Sequence, residues 1–580
     1  MPSQVSHDER TLKIFSLGQV YNDPLTRQAA QSSTRHPWFN IDWNLCRRKV
    51  RSLQRRIVKS LQTGNWRKVK RLCYLLVNSF YAQVLAIKRV TENKGKRTAG
   101  IDGQRWTSPA QKMQAVNTIA TWKRYHPHPL KRIYIPKKGS TKMRPISIPV
   151  MEDRARQALL AFGLQAITET LADGHSYGFR SKRGCADAMA QIFNILRQQS
   201  SARWILEGDI KGFFDNISFD WMLKHIPMNK RILNAWLHCG FIDKGERFKT
   251  TDGVPQGGII SPIIANSVLD GLASEVSGRY HFRRTHQISF VRYADDFIVT
   301  ANSEAILRDV IIPKINAFLA VRGVELNPHK THITHLRDGF DFLGQTTRKY
   351  FRQGRLGKIQ ITPSQKALSA IKANIKSLCQ SSGCLTQAQL IDQLNPVLRG
   401  WANYHRHVIC GTTFSQLDNF VWFRLFRWAK RRHPDKTGYW IAWRYFSIQP
   451  NAAWIFKDKT SGKALIRVSQ AILAQRHIKV KADANPFDGE WEAYFTHREQ
   501  MLKIRSVNKS IGKVLKRQCG RCPRCRQLIT VDDDHQLYHL DGCKTNKRIM
   551  NVLLIHRHCN DRFVVQRESS IVNGALPRGR

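Results

Sequence analysis

Apolar residues recur at helical spacing near the start of the chain. They then fall into short strand-like runs broken by helices, and return to helical spacing from Thr362 to about Ala482. Val50, Leu53, Ile57 and Val58 mark one face of a helix predicted over Ile41 to Lys59, and Val69, Leu72, Leu76, Phe80 and Val84 form a second stripe. The turn formers between Thr91 and Gly103 predict a loop. From Pro129 to Pro149 the pattern reads as a hairpin, with a strand to Ile135, a basic turn centred on Gly139 and a return through Ile146. Helices are predicted over Glu152 to Thr170 and Cys185 to Leu196, separated by a polar loop around Ser176 to Gly184. Trp204 to Gly208 reads as a strand ending at Asp209. Ile263 to Leu272 reads as a helix entered from the glycine-rich turn Gly253 to Pro262, and Gly339 to Gly344 as a short apolar hairpin. Between Phe290 and Val299 two apolar runs flank Asp295 and Asp296. Alternate side chains of a strand face opposite ways, so the pair sits most simply at the turn joining two strands.

Composition adds a partner. The 580 residues suffice for about four domains, and 95 Lys and Arg against 42 acids give a formal net charge of +53. That imbalance points to a long polyanion. No run approaches the roughly 18 apolar residues of a membrane span, and no basic-then-apolar leader opens the chain. A cytoplasmic, nucleoid-associated protein is therefore expected, with residues 1–36 as a flexible tail. Arg47, Arg48, Lys49, Arg51, Arg55, Arg56 and Lys59 crowd the stretch from Arg47 to Lys59 without one acid, which favours a nucleic-acid contact over a merely solvated face. Of 12 cysteines, Cys519, Cys522, Cys525, Cys543 and Cys559 lie near the end, a clustering that suits metal ligation better than disulfides.

Candidate chemistry follows from the acids. An Asp-Asp pair is by itself also an ordinary turn signal. With Asp209 on a neighbouring strand, three carboxylates would converge on one side of one sheet, a set able to hold two Mg²⁺ ions roughly 4 Å apart for nucleotidyl transfer. Lys137 and Arg144 on the basic hairpin are candidate clamps for an incoming triphosphate, although a basic surface hairpin needs no function. Phe214, five residues beyond Asp209, would floor a sugar pocket and clash with a ribose 2′-hydroxyl, or serve as one more core aromatic. Gln256 in the glycine turn would contact the incoming nucleotide or the template, and Lys330 would protonate departing pyrophosphate. The run Val421 to Arg432 interleaves aromatic rings with Arg424, Arg427, Lys430, Arg431 and Arg432. It suits RNA or a plain helical core with a basic outside.

In this order, Asp209 with Phe214, Pro255-Gln256-Gly257, Tyr293-Ala294-Asp295-Asp296, Lys330 and Phe342-Leu343-Gly344 resemble the multifunctional reverse transcriptase and maturase proteins encoded within bacterial group II introns. The stretch from Leu394 to Tyr404, with Arg399, resembles their maturase signature. The resemblance implies a multidomain α+β fold. Right-hand polymerase fingers and palm, an antiparallel sheet with helices, would occupy 126–350 behind a basic helical fingers extension at 37–125, and a helical thumb or maturase domain would occupy 351–482. It also implies dNTP substrates, intron RNA in lariat form and target DNA as partners, and retrohoming by target-primed cDNA synthesis. Two other readings stand beside it, an RNA-dependent RNA polymerase and a splicing maturase whose polymerase has decayed.

Cys522, Cys525, His556 and Cys559 form two knuckles about thirty residues apart, a tetrahedral Zn²⁺ pattern that could be an inert staple. With the intervening His539 and Asn551, residues 518–580 resemble a small ββα-metal HNH endonuclease module. The resemblance implies that His539 is the general base, Asn551 the central Asn, and one divalent ion the catalytic metal for cutting the bottom strand. This sequence departs from the pattern at Tyr538, and at Asn560, which stands where a closing His ligand is expected. The module would then either cleave DNA or only bind it. Residues 483–517, ending in Lys503, Arg505, Lys509, Lys513, Lys516 and Arg517, would hold target DNA ahead of it.

Overall fold

The structure is a computed structural model that describes residues 36–136, 143–352, 355–448, 454–472, 474–507, 509–530, 533, 535–543, 546, 548–557 and 559. The tail read at residues 1–36 lies outside them except for His36, as do Lys137 and Asn560.

The chain opens on helices α1 (Trp43–Gln62), α2 (Trp66–Val77), α3 (Phe80–Glu92) and α4 (Pro109–Ala120). Asp42 starts α1 by accepting from the backbone N–H groups of Asn44 and Leu45. The second apolar stripe is two helices, not one. The chain turns at Asn78 and Ser79 between α2 and α3, and the Asn78 amide bonds back to the Tyr74 carbonyl. Val50, Ile57, Val69, Leu72, Leu76 and Val84 pack in one core with helix α5 (Met151–Leu171).

Strands β1 (Leu130–Pro136) and β2 (Met143–Ile148) pair antiparallel, so the predicted hairpin is present, with Ile135 opposite Arg144. They join β4 (Phe241–Asp243) and β5 (Glu246–Phe248) in a sheet of order β2-β1-β4-β5. The central sheet has the order β6-β7-β3-β8 and consists of β3 (Trp204–Gly208), β6 (Ser289–Tyr293), β7 (Asp296–Ala301) and β8 (His332–His335). Its period of two is visible in the packing. Leu206, Phe290, Phe297 and Val299 face one core with α8 (Ser261–Leu269), α7 (Lys230–Leu237) and α9 (Ile312–Ala320). Ile205, Val291 and Ile298 face another with α6 (Cys185–Leu196). The two faces are thus both covered, which leaves the turn ends of the strands as the place where polar groups can gather.

Strands β9 (Phe340–Phe342), β10 (Gln345–Arg352) and β11 (Arg355–Pro363) form a three-stranded sheet that runs across residue 350. Helical structure resumes at α10 (Gln365–Ser381), followed by α11 (Gln387–His405), α12 (Gly411–Arg432) and α13 (Gly438–Tyr445) and a hairpin of β12 (Phe446–Ile448) and β13 (Trp454–Phe456). Beyond it come α14 (Glu492–Ser506), α15 (Lys509–Arg517) and a two-stranded pair, β14 (His535–His539) and β15 (Val552–His556). Among the described residues, no helix is long and apolar enough to cross a membrane.

Candidate functional site

Tyr293 and Asp296 are paired across β6 and β7, so Ala294 and Asp295 form a two-residue hairpin turn. Ala294 takes φ +59°, the left-handed conformation such turns demand. Gly178 lies flat against this turn, where a Cβ would stand 2.3 Å from the Ala294 nitrogen. The sequence reading had Asp209 near by, and it is. Gly208 is opposite Phe297 in the β3–β7 register, which brings Asp209 to the same end of the sheet as Asp295 and Asp296. The three carboxylates act on one another. Burial first, and then the charge of Asp209, raises the Asp295 carboxyl above its usual range. Desolvation in the crowded turn, followed by the charges of Asp295 and Asp209, pushes Asp296 up to about 6. A divalent cation would relieve that repulsion, and these are oxygen ligands of the kind Mg²⁺ takes.

Lys330 sits on the third acid, with Nζ 3.0 and 3.2 Å from the two Asp209 carboxylate oxygens. Arg144 and Lys330 both lower the Asp295 carboxyl by their charge, so both predicted cations stand within electrostatic reach of the turn. Phe214 and the glycine turn are stitched together through backbone. The Val254 N–H donates to the Phe214 carbonyl at 2.6 Å, and the Gln256 carbonyl accepts from Ser147 on β2 at 2.7 Å. Gly257 has φ +126°, and a Cβ there would stand 2.5 Å from the Ser147 carbonyl oxygen, so the turn can lie on β2 only as glycine. Phe214 and Gln256 share the lining of a cleft of 250 Å³ with Arg132, Pro145, Asp215 and Trp236.

Two groups at this site were missed by the sequence reading. Arg292 on β6 is fully buried beneath the Asp295 turn and pairs with Asp270 at 2.5 Å; its guanidinium also reaches Asn266 Oδ1 and the Ala294 carbonyl. Burial pushes Asp270 up to about 6 even with that partner, and it lowers Arg292. Asn327 holds Asp209 from the other side, its backbone N–H donating to the Asp209 carbonyl at 2.8 Å and its amide to Oδ2 at 3.1 Å. The Asn-Pro-His-Lys stretch carrying Lys330 was the available signal for Asn327.

At the other end of the chain, Cys522, Cys525, His556 and Cys559 converge, their ligand atoms all within 4.8 Å of one another. Among the described residues this is the only group of three or more His, Cys, Asp or Glu side chains gathered so closely. Burial, then the neighbouring sulfurs, pushes the Cys559 thiol up to about 12, so the sulfurs cannot all ionise without a cation among them. His556 turns Nδ1 toward Cys525 and Nε2 toward the Leu528 carbonyl and Asp533, the arrangement that fixes the tautomer of a ligating histidine. This donor set and packing fit a structural Zn²⁺.

Beside it, His539 and Asn551 are brought together by one loop. His539 Nδ1 meets the Asn546 carbonyl at 3.0 Å, and the Asn551 amide donates to the same carbonyl at 3.1 Å and to Asp541 at 2.8 Å. Tyr538, on the opposite face of β14 from His539, packs into the apolar cluster of Val514, Leu515 and Leu554.

Several predicted contacts are placed otherwise. Lys503 is 1% exposed and donates toward the Asp533 carbonyl and His535, so its ammonium is turned into protein rather than toward a duplex. The segment around it is held against the body of the chain. Asp187 on α6 takes Arg498 at 2.7 Å and His477 at 2.9 Å, and Glu492 pairs with Arg51 and Arg55 on α1. Those two arginines are therefore engaged within the protein, while Arg48, Lys49 and Arg56 show no such partner among the described residues. Arg47 donates to Asn44. Lys513 and Lys516 are exposed on α15, and the side chain of Lys509 lies outside the described residues. On α12, Trp428 and Leu425 are core, and Lys430, Arg431 and Arg432 donate to backbone carbonyls at Pro434, Cys379 and Gly383, closing the helix end. Arg427, like Arg399 on α11, is exposed, and Arg424 lies over the Phe420 ring.

Residues 135–347 match the family described as reverse transcriptase (RNA-dependent DNA polymerase). Residues 38–119 match the N-terminal domain of reverse transcriptase, and residues 368–446 the group II intron, maturase-specific domain. Protein YkfC of Escherichia coli is 28% identical over 361 residues, covering 55% of this chain and 93% of its own length. The group II intron-encoded protein LtrA of Lactococcus lactis is 26% identical over 438 residues, covering 60% of this chain and 72% of LtrA. Maturase-like protein 1 of Euglena gracilis is 23% identical over 378 residues, covering 63% and 77%.

Proposed function

We propose that this chain, which has the reverse transcriptase and maturase domain architecture of group II intron-encoded proteins, binds its own intron RNA to promote splicing and copies that RNA into DNA. The observation that carries the polymerase reading is the meeting of Asp209, Asp295 and Asp296 at one end of a sheet, beside Lys330, Arg144 and the cleft holding Phe214 and Gln256. Asp209 and Asp295 would ligate two Mg²⁺ ions, with Asp296 adding charge; the ions would activate a primer 3′-oxygen and stabilise the departing pyrophosphate oxygen. Lys330 holds the Asp209 carboxylate in place and stands ready to give a proton to the leaving group. Arg144, with Lys137, would neutralise the triphosphate, and Phe214 would exclude a 2′-hydroxyl, selecting dNTPs.

For the C-terminal module we propose Zn²⁺ as the resident metal and an HNH-like role for His539. Its Nε2, which makes no hydrogen bond among the described residues, would accept a proton from water while Asn551 and Asp541 hold the loop beside it. The alternative, a module that binds DNA without cutting, is favoured by Tyr538, which packs against the apolar cluster on the face of β14 opposite His539. DNA contacts would come from Arg505, Lys509, Lys513 and Lys516, with Lys503 withdrawn. The intron RNA would be held by Arg48, Lys49 and Arg56 of α1 together with Arg399 and Arg427. A cytoplasmic protein associated with the nucleoid fits these partners.

The test is the purified protein with its intron RNA, assayed for splicing and for primer extension. Splicing stimulation together with extension from dNTPs supports the proposal. Extension preferring NTPs refutes the polymerase assignment, and splicing without extension leaves a maturase alone. Nicking of labelled target duplex, compared with a His539→Ala form, decides the endonuclease.

A further inference from the structure

We propose that a hollow in the helical domain receives one unpaired base of a bound RNA. The hollow measures 340 Å³ and lies between α12, the β12–β13 hairpin and the stretch Leu465 to Arg467. Its walls include the rings of Trp422, Phe446, Trp454 and Phe456. Trp454 is 36% exposed, and Phe423, next to Trp422, is 60% exposed, so aromatic surface continues from the interior to solvent. Every base has a π face, and an everted base stacked on such rings is the usual way protein reads unpaired RNA.

The hollow is held open by a buried acid. The Asp418 carboxylate accepts the Val468 N–H at 2.8 Å, the Ser469 N–H at 2.9 Å and the Ser469 hydroxyl at 2.6 Å. These bonds tie Val468 and Ser469 to α12, and the Ile466 N–H donates to Asn395 Oδ1 at 2.9 Å, so the Leu465 to Arg467 wall is anchored on both sides. Two polar side chains at the hollow, Asn419 and Arg467, make no hydrogen bond among the described residues. An amide and a guanidinium beside stacked rings are the donors and acceptor that a base edge requires. Arg467, in the lining itself, also offers positive charge to the phosphate beside an inserted base.

The assignment to RNA rests on the proposed maturase function. Trp422 and Phe446 fall within the maturase-specific match, and folded RNA offers unpaired bases in bulges and loops.

The full-length protein is titrated with three labelled hairpins: an RNA with a single bulged 2-aminopurine, the same RNA fully paired, and the bulged sequence as DNA. The bulged RNA is expected to bind about 5- to 150-fold tighter than the paired one, the span of a single base–aromatic stack, with 2-aminopurine emission quenched. Trp454→Leu and Arg467→Gln each bring the two RNAs toward equal affinity, while binding of the paired RNA and dNTP primer extension stay at the wild-type level. Preference retained in both variants overturns the pocket, as does equal wild-type binding of bulged and paired RNA. An equal preference for the bulged DNA overturns its assignment to RNA. Wild-type protein that binds neither RNA overturns the RNA-binding reading of the whole chain, and the pocket with it.

Discussion

Arg292 offers a sharp test of how the acidic turn is held. Its side chain is 0% exposed and that of Asp270 12%, so Arg292→Met leaves a carboxylate in a dry site with its cation gone. Breaking one member of a buried pair typically costs about 3–5 kcal/mol. The β6–β7 hairpin carries the loss, since Arg292 also reaches the Ala294 carbonyl inside the turn. At about 1.4 kcal/mol per factor of ten, amide exchange in the peptide Ser289 to Ala301 should accelerate by roughly 10²- to 10⁴-fold. The deficit depends on pH in a fixed direction. The folded-state carboxyl of Asp270 already stands up at about 6, above the usual 3.8, and losing Arg292 raises it further. A raised folded pKa means the folded protein holds the proton more tightly. Its stabilisation is therefore complete at low pH and is lost as pH rises toward and through the folded value. Between pH 6 and pH 8 the variant should lose up to about 2 kcal/mol more than wild type does. Arg292→Met combined with Asp270→Leu removes both buried charges and should restore protection to within about 1 kcal/mol of wild type or better. Hydrogen exchange followed by mass spectrometry at both pH values reads all of this. Unchanged protection in Arg292→Met, or a deficit equal at pH 6 and pH 8, would refute the reasoning.

Phe214→Val opens the floor of the cleft. If the ring excludes the 2′-hydroxyl by about 1–3 kcal/mol of overlap, discrimination between dNTP and NTP in primer extension should fall roughly 5- to 150-fold, and an unchanged ratio makes Phe214 a packing residue. Metal analysis of wild-type protein should find about one zinc per chain, lost in Cys525→Ala with primer extension retained; equal metal content in the two forms would remove Cys525 from the site.

Much of the site was legible because its residues obey local rules. The Asp295 turn could be placed since a period of two forbids both acids from one strand face, and the apolar runs on either side fixed the strands. The hairpin bearing Arg144 announced itself through two strand-like runs around a basic, glycine-containing turn. Arg292 was illegible for the opposite reason. It reads as one more charge in a basic chain, and its burial depends on Asp270 and Asn266 arriving from α8 and its end. The break between α2 and α3 was hidden because the apolar stripe keeps its phase through Asn78 and Ser79. Lys503 shows the limit of charge patterning. A lysine in a basic run looks like a phosphate contact until β14 lays His535 beside it. The four zinc candidates were legible from spacing alone, since two knuckles need only a strand pair to close the thirty residues between them.

The most direct test of the central claim is primer extension by Asp295→Asn/Asp296→Asn protein on an RNA template with dNTPs and Mg²⁺, alongside intron RNA binding by the same preparation. Loss of extension by at least about 10³-fold is predicted, the scale of removing one key electrostatic group at a reacting oxygen, with RNA affinity and splicing kept. Extension that persists in this variant would contradict the assignment of the turn as the polymerase metal site.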